Sequence, residues 1–307
     1  MQTTSNILLI KPTGFSFNVQ TAVSNAFQNK PDVSKEILKQ NAFDEFDAFV
    51  NTLQSKGVSV TVIADTELPQ KPDAVFPNNW ISFHADGSVI LYPMCAPNRR
   101  TERRAEIIET IKKSFSVNSI IDLSFYENEN RFLEGTGSVV FDHQNKIAYA
   151  CLSPRTDKEL LKELCSILNY EPIYFYALDE SGKEIYHTNV MMCVAEEFAV
   201  ICLIAIKNKT EKDKVVSSLE QTGHEIIDIS FEQMKNFAGN MLALRNHQNE
   251  KLLALSQSAF DSLSADQKMR IGKYAEMIPL AIKTIETIGG GSARCMIAEI
   301  FLPKKNK

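Results

Sequence analysis

A repeating order of secondary-structure signals constrains the fold of this chain more than any other feature. Two short apolar runs joined by a polar turn are followed by a helical pattern and a further apolar run, and this order recurs along the chain. In the first unit Asp86-Gly87 separates residues 75–83 from residues 88–92, and Asp-Gly between two apolar runs is a strong hairpin signal. Because internal repeats decide the architecture, the sequence predicts an α/β protein of repeated hairpin-helix-strand units.

The elements are predicted from apolar spacing of two residues for strands and of three to four residues for helices. Strands are expected at 7–11, 58–63, 75–83, 88–92, 120–123, 138–141, 146–151, 173–176, 189–194, 198–205, 226–229, 241–245, 251–255 and 296–302. Helices are expected at 34–56, 102–113, 157–168, 210–221 and 265–278. We expect one domain over residues 1–307.

A polar residue stands before the hairpin of each unit, at nearly equal spacing. The five residues are Asn79, Glu134, His187, Asn240 and Cys295, which are 55, 53, 53 and 55 residues apart. If the units close into a ring, all five face one central channel. Since buried polar groups cost free energy unless they are paired, this convergence indicates a functional site.

Cys295 follows the loop Gly289-Gly290-Gly291-Ser292-Ala293-Arg294 and precedes the apolar run 296–302. Three consecutive glycines allow positive φ and close approach of the backbone to a ligand or strand. The loop therefore presents a thiol at the start of a strand, which is a suitable place for a nucleophile. The alternative is a buried structural cysteine, the common state of free cysteines, and the position in the repeat favours the nucleophile.

Composition narrows the classes of partner. The net charge is −5 with no basic block, which argues against a nucleic-acid partner, and no apolar run has the length of a membrane span. The six cysteines lack CxxC spacing, so we expect free thiols in a reducing cytoplasm and no disulfide framework, metal or cofactor. The expected partner is a small molecule, and a homo-oligomer is an open alternative for its assembly.

Seven short motifs, each weak alone, occur in one order along the chain. They are Pro72-Asp73-Ala74-Val75-Phe76-Pro77-Asn78-Asn79-Trp80, Asn98-Arg99-Arg100, Glu134-Gly135-Thr136-Gly137, Leu152-Ser153-Pro154-Arg155-Thr156, His187-Thr188-Asn189-Val190, Gly239-Asn240-Met241 and the loop 289–295. In this order the chain resembles the amidinotransferase, arginine deiminase and dimethylarginine hydrolase superfamily, over residues 7–302. The resemblance implies the pentein fold, a five-bladed pseudosymmetric α/β propeller.

The resemblance also implies roles for single residues. Cys295 resembles the nucleophile, His187 the general acid/base, and Glu134 the carboxylate that contacts substrate nitrogens. Arg155 resembles the arginine that grips the substrate carboxylate, assisted by Arg99 or Arg100. The expected substrate-binding residues are Asp73, Asn79, Arg100, Arg155, Asn189 and Asn240. For two of these a plainer role stays open: Asn240 as a backbone partner at a strand start, and Asp73 as a turn residue.

Two asparagines depart from the pattern of the arginine-directed members. Many deiminases and dimethylarginine hydrolases carry aspartate where this chain has Asn79, and deiminases often carry aspartate where it has Asn189. A guanidinium cation needs carboxylates opposite it, since charge-assisted hydrogen bonds are the strong ones. An amide both donates and accepts, which suits a neutral ureido group.

The sequence therefore favours a hydrolase that converts citrulline to ornithine, carbon dioxide and ammonia, as the subgroup with Phe-Pro-Asn-Asn-Trp resembles citrulline hydrolases. The alternatives are an arginine or methylarginine deiminase, a dimethylarginine hydrolase or an amidinotransferase. A further alternative is a non-catalytic protein that binds an amino acid in a pentein pocket.

Overall fold

The chain folds into five small sheets with helices packed between them. The structure, a computed structural model, describes residues 1–305, so the expected domain 1–307 ends two residues beyond the described part. The strands are β1 (Asn6–Lys11), β2 (Ser59–Ala64), β3 (Ile81–Phe83), β4 (Ser88–Leu91), β5 (Ser119–Asp122), β6 (Val140–Asp142), β7 (Ile147–Cys151), β8 (Glu171–Phe175), β9 (Met192–Val194), β10 (Phe198–Ile201), β11 (Glu225–Asp228), β12 (Leu242–Arg245), β13 (Lys251–Ser256), β14 (Glu276–Leu280) and β15 (Ala298–Glu299).

The helices are α1 (Lys35–Ser55), α2 (Ala105–Lys112), α3 (Gly135–Ser138), α4 (Lys158–Leu168), α5 (Thr188–Met191), α6 (Lys209–Gln221), α7 (Phe231–Lys235), α8 (Gln257–Ser262), α9 (Ala265–Gly272) and α10 (Lys283–Gly289). Turns of 3-10 helix lie at Pro77–Asn79, Pro97–Glu102, Ser124–Glu129 and Leu203–Ala205. Among the described residues, no helix is both long enough and apolar enough to cross a bilayer.

Each sheet has three strands in one arrangement. The first strand pairs antiparallel with the second, and the second pairs parallel with the third, as in β3-β4-β5 and β6-β7-β8. The fifth sheet is composite, because β15 pairs antiparallel with β1 and β1 pairs parallel with β2. This order confirms the predicted hairpin-helix-strand repeat and the five-bladed α/β propeller, whose ring is closed by strands from both ends of the chain.

The local sequence explains where the main helices begin and end. The Ser34 side chain accepts a hydrogen bond from the Ile37 amide at the start of α1, which satisfies a free helix N–H. Gly57 follows α1 at φ +82°, a conformation that glycine adopts without strain. Asp157 caps α4 in the same way as Ser34 caps α1, and the buried face of α4 packs on β7 and β8 in one apolar cluster.

The predicted helix 265–278 is wrong beyond its first half. Helix α9 ends at Gly272, and β14 follows, parallel to β13. Pro279 lies within β14 and has no N–H for a helical hydrogen bond, while Ile278 and Leu280 alternate with half-buried residues. The fourth blade thereby gains the third strand that the repeat requires.

Three predicted strands are shorter than expected for a shared reason. The strand predicted at 75–83 is reduced to β3 after a 3-10 turn that begins at Pro77, and the strand predicted at 189–194 is reduced to β9 after the single turn α5. The run 296–302 is reduced to β15. In each case a tight turn includes the polar residue of the repeat or begins directly after it, and the strand begins only beyond this turn.

Candidate active site

The five polar residues of the repeat lie at the inner ends of the blades and are all buried, with at most 4% of their surface exposed. His187 Nε2 lies 2.8 Å from Glu134 Oε2, and Asn240 Nδ2 lies 3.2 Å from Cys295 Sγ. A Cβ on Gly137 would clash with Asn79 Nδ2 and lie 2.7 Å from His187 Nδ1. The spacing in sequence thus places these groups side by side around one axis.

A nearly closed cavity of about 10 Å³, room for one water molecule, lies at this point of the channel. Its lining consists of Thr21, Asn25, Asp73, Phe76, Asn79, Arg99, Arg155, Tyr186, His187, Gly289, Gly290, Gly291 and Cys295. The wall combines a thiol, an imidazole, a carboxylate, two amides and two guanidinium groups, so its chemistry suits a small polar molecule.

Glu134 lies behind His187 and holds it. Its Oε1 accepts from the Cys95 amide at 2.9 Å, and its Oε2 accepts from His187 Nε2 and, at 3.5 Å, from Arg155 Nη1. Burial alone would raise the pKa of this carboxyl, but Arg155 and His187 hold it below its usual range. Both oxygens are therefore occupied by the protein.

His187 is neutral in this setting, because burial lowers its pKa to about 4. Its Nε2–H donates to the ionised Glu134, which leaves a lone pair on Nδ1. Within residues 1–305 no hydrogen-bond partner is found for Nδ1, and His187 lines the cavity. An imidazole in this tautomer can act as a base toward a group in the cavity.

The Cys295 thiol is held by two amides. Asn240 Nδ2 donates to Sγ at 3.2 Å, and Asn189 Nδ2 donates at 3.4 Å. Burial raises the pKa of the thiol, while hydrogen bonds from Ser292, Asn240 and Asn189 oppose that change. The resting sulfur is thus a protonated thiol in a site prepared to hold a thiolate.

Arg99 fixes the orientation of the Asn79 amide. Arg99 Nη1 donates to Asn79 Oδ1 at 2.7 Å, and the guanidinium is itself gripped by both oxygens of Glu102 at 2.9 Å. Since arginine only donates, Asn79 must present its oxygen to Arg99 and its NH₂ group elsewhere. Asn79 Nδ2 is buried and has no partner in the described part of the chain.

The far side of the cavity is formed by the connection between β1 and α1. Asn18 Nδ2 and Thr21 Oγ1 donate to Asp73 Oδ2 at 2.8 and 3.1 Å, whereas Asp73 Oδ1 is buried without a partner among residues 1–305. Arg155 donates to Ser24 Oγ at 2.6 Å and to the Thr21 carbonyl at 3.0 Å. This connection therefore covers the cavity and satisfies the groups that face it.

The glycine loop is built for close packing more than for positive φ. Only Gly290 has a left-handed backbone, at φ +65°. A Cβ on Gly289 or Gly291 would lie 2.8 or 2.9 Å from the Phe76 ring, so these two positions exclude a side chain. The expectation of positive φ through the loop is confirmed at one glycine, and close approach explains the other two.

The structure separates the predicted site residues into three groups. Those that line the cavity are Cys295, His187, Asp73, Asn79 and Arg155, and those directly behind it are Glu134, Asn189 and Asn240. Arg100 does neither, because its guanidinium bonds the Met94 carbonyl and lies 3.3 Å from Glu127. Arg99 lines the cavity in its place.

Sequence reasoning missed the covering residues Asn18, Thr21, Ser24 and Asn25. They lie in a long connection without regular structure between β1 and α1. A connection of that kind inside a compact fold is itself a sign of a functional loop. In the described part of the chain, no group of three or more His, Cys, Asp or Glu side chains is placed to hold a metal ion.

A five-bladed α/β propeller with a buried thiol and a His–Glu pair at its axis defines a hydrolase of the pentein superfamily. The chain belongs to the eukaryotic N,N dimethylarginine dimethylhydrolase family, whose model matches residues 11–302. This match confirms the predicted superfamily and the class of enzyme, a hydrolase of C–N bonds. No curated protein sequence matches the chain.

Solved structures share the fold at low identity. One is apo ArgZ, an arginine dihydrolase from the ornithine-ammonia cycle in cyanobacteria, with a TM-score of 0.76 and 16% identity over 97% of this chain and 41% of ArgZ. The N-terminal domain of ArgZ bound to substrate gives the same TM-score and identity, over 97% and 98% of the two chains. This chain thus spans about two fifths of full-length ArgZ.

A third structure is a dimethylarginine dimethylaminohydrolase adduct with S-methyl-L-thiocitrulline. It has a TM-score of 0.65 and 18% identity, over 98% of this chain and the whole of that chain. At such identities these likenesses describe the fold.

Proposed function

We propose that this protein hydrolyses citrulline to ornithine, carbon dioxide and ammonia, with Cys295 as nucleophile. The observation that carries the proposal is the orientation of Asn79, whose amide oxygen is taken by Arg99 at 2.7 Å. Its Nδ2 is consequently a buried donor at the cavity without a partner in the described chain. A ureido oxygen can accept from this donor, whereas a guanidinium carries only donors.

Two of the other buried, unpartnered atoms also suit a ureido group. Asn189 Oδ1 and Asp73 Oδ1 are buried acceptors that no described residue satisfies. A ureido group has one acceptor, its oxygen, and N–H donors on both nitrogens. Asn79 Nδ2 and Asp73 Oδ1, which belong to residues that line the cavity, therefore fit it, and leaving either of them unmet in the complex would cost about 1–3 kcal/mol.

The first half of the reaction uses the thiol and the imidazole. Cys295 Sγ attacks the ureido carbon while its proton passes to the neutral His187. Asn79 Nδ2 stabilises the charge that develops on the ureido oxygen. His187 then gives the proton to the departing nitrogen as its bond to carbon breaks, which leaves a carbamoyl thioester on Cys295.

The second half releases the enzyme. His187 takes a proton from water, the hydroxide attacks the thioester carbon, and Cys295 leaves and regains a proton. The carbamate so formed loses carbon dioxide and yields the second amine. One water is consumed in total, and the two nitrogens of the ureido group leave as ammonia and as the amine of ornithine.

Arg155 is proposed to hold the amino-acid end of the substrate. Arg155 donates to Ser24 Oγ and the Thr21 carbonyl in the structure, and a substrate carboxylate is a stronger acceptor for the same fork of N–H groups. Binding would thus exchange contacts of the covering connection for contacts of the substrate, which fixes the reacting carbon relative to Cys295.

Hydrolysis of an arginine-type guanidinium is the second candidate. The family match and the arginine dihydrolase neighbours favour it, and the buried Asp73 carboxylate offers a negative charge to a cation. The amide orientation of Asn79 argues against it, since Nδ2 would then face N–H groups. The two candidates differ in substrate and share the nucleophile.

Product analysis decides between them. Purified protein is incubated separately with citrulline, arginine and dimethylarginine, and ornithine, citrulline and ammonia are quantified, with Cys295→Ser as the matched control. Ornithine and ammonia in equal amounts from citrulline alone support the proposal. Turnover of arginine or dimethylarginine without turnover of citrulline contradicts it, and binding of citrulline without products indicates a non-catalytic binding protein.

A further inference from the structure

Asn240 has no N–H left for a substrate. One hydrogen on its Nδ2 goes to the Asn189 carbonyl at 2.7 Å and the other to Cys295 Sγ at 3.2 Å. Its Oδ1 accepts from the Arg294 amide at 3.1 Å. The side chain is fully buried and does not line the cavity.

The backbone around Asn240 is fixed as firmly as its side chain. A Cβ on Gly239 would clash with the Val190 carbonyl oxygen and lie 2.7 Å from the Met191 carbonyl carbon, so the chain at this point lies directly against α5. The Arg294 amide that orients Oδ1 belongs to the residue just before Cys295. Asn240 thus ties the nucleophile loop to the neighbouring blade.

We propose that Asn240 is a positioning residue for the nucleophile, whose amide holds Cys295 Sγ and contacts no part of the substrate. This inference rests on Cys295 as the proposed nucleophile and is independent of which substrate is cleaved. It assigns to Asn240 a different task from Asn79, which offers its free donor to the cavity.

The charged groups around Cys295 explain why an amide is suited to this task. The titratable groups that line the cavity together with the sulfur are His187, Asp73, Arg99, Arg155 and Tyr186, and Arg294 adjoins Cys295 in sequence. Glu134 stands behind His187. A neutral N–H donor favours the thiolate without adding a second buried charge, and a hydrogen bond to a charged acceptor is stronger than one between neutral groups.

The test is a titration of the Cys295 thiol in the absence of substrate. The rate of alkylation by iodoacetamide is measured against pH for the wild type, Asn240→Leu and Asn240→Asp, with modification of Cys295 identified by mass spectrometry and Cys295→Ser as background. Loss of one N–H to the thiolate is expected to raise the midpoint by about one to two pH units in Asn240→Leu. Asn240→Asp, which keeps the side-chain shape and adds negative charge, is expected to raise it further.

Asn51→Leu is the control, because Asn51 is exposed on α1 and does not line the cavity. Its midpoint should equal that of the wild type. On whichever substrate is turned over, Asn240→Leu should lower kcat and leave KM within about twofold, the signature of an interaction that the substrate does not make.

An unchanged thiol midpoint in Asn240→Leu, or a raised KM with unchanged kcat, overturns the proposal in favour of a substrate contact. If thermal unfolding shows that Asn240→Leu does not fold, Asn240→Ala, which removes the same N–H and adds no charge, decides by the same midpoint. A raised midpoint together with no turnover of citrulline would retain the positioning role and reject only the proposed substrate.

Discussion

On each side of the channel, the polar residues of two successive units form a pair. The two pairs differ in their charge. On one side Glu134 and His187 meet at 2.8 Å, with Arg155 beside them. On the other side Asn240 and Cys295 meet at 3.2 Å, and both partners are neutral. We call these the charged side and the amide side.

The difference shows that the repeat fixes the position of a side chain and its neighbours fix its chemistry. Glu134 stays ionised because Arg155 and His187 offset the cost of burying it, and uncompensated buried charges are strongly destabilising. Asn240 is oriented by the backbone of Arg294 and Asn189. The charged side therefore handles protons, and the amide side holds the sulfur.

The substitution expected to have the largest effect on activity is Cys295→Ser, on the amide side. A hydroxyl is a far weaker nucleophile than a thiolate, so kcat should fall by at least about 10⁴-fold on the preferred substrate. Steady-state product formation checks this. The melting temperature should change little, because the buried group is nearly isosteric, and activity near the wild-type level would contradict the nucleophile assignment.

The corresponding substitution on the charged side is Glu134→Gln. An amide can offer an N–H to His187 and so permit the wrong tautomer, and it no longer compensates Arg155. We expect kcat to fall by roughly 10²–10⁴-fold, the usual range for disabling an acid/base group. Glu129→Gln, on the surface with 53% of its side chain exposed, serves as the control and should retain full activity.

Asn79→Asp sharpens the comparison by moving negative charge toward the amide side. The variant loses the donor to the ureido oxygen, and removal of one such donor costs roughly 10²–10³-fold in kcat. Activity on citrulline should fall by that amount while the ratio of arginine to citrulline turnover rises. Both substrates are measured with one enzyme preparation. An unchanged ratio would mean that Asn79 does not select the substrate.

A smaller effect is expected from pH on stability. Burial lowers the pKa of His187 and of His84 to about 4, whereas histidine in the unfolded chain titrates near 6.5. Between pH 4 and pH 6.5 the unfolded state binds more protons than the folded state. The free energy of unfolding should therefore fall by roughly 3 kcal/mol for each histidine as the pH is lowered from above 6.5 to 4. Urea unfolding at pH 7, 6, 5 and 4 measures the loss. His84→Gln should show a shallower dependence, and equal slopes would contradict the argument.

The smallest effect is expected from Arg100→Ala. Arg100 bonds the Met94 carbonyl and Glu127 away from the cavity, whereas Arg99 lines it. KM for citrulline should change by less than about threefold, as for a peripheral ion pair, and Arg99→Ala should impair kcat far more through Asn79. Steady-state kinetics on the two variants tests the distinction. A large rise in KM for Arg100→Ala would instead support the original prediction that Arg100 contacts the substrate.

The sequence predicted elements of the blades correctly where turn residues mark a hairpin. It missed an element where only tertiary packing selects between helix and strand. Asp86-Gly87 marked the first hairpin, and equal spacing placed the five polar residues correctly. Strand β14 was missed because residues 273–280 also carry helical spacing, and only pairing with β13 selects the strand.

The site was predictable as a set of residues more than as a set of contacts. No local pattern shows that Arg99 rather than Arg100 reaches Asn79, 20 residues earlier, or that Asn240 bonds the sulfur 55 residues away. These contacts depend on blade geometry, which sequence spacing does not give in atomic detail. The single domain, the cytoplasmic location and the state of assembly stay predictions.

The closure of the ring by β15 on β1 has a consequence for the order in which the protein becomes active. Ile7 pairs with Glu299, a contact between nearly opposite ends of the sequence, and contacts of such separation form late because of their loop-closure entropy. Cys295 lies just before this last strand. During synthesis the four earlier blades can therefore form before the active site is complete. Cys295 reaches its place beside the other site residues only when β15 pairs with β1. Chains that end before β15 should therefore have no activity.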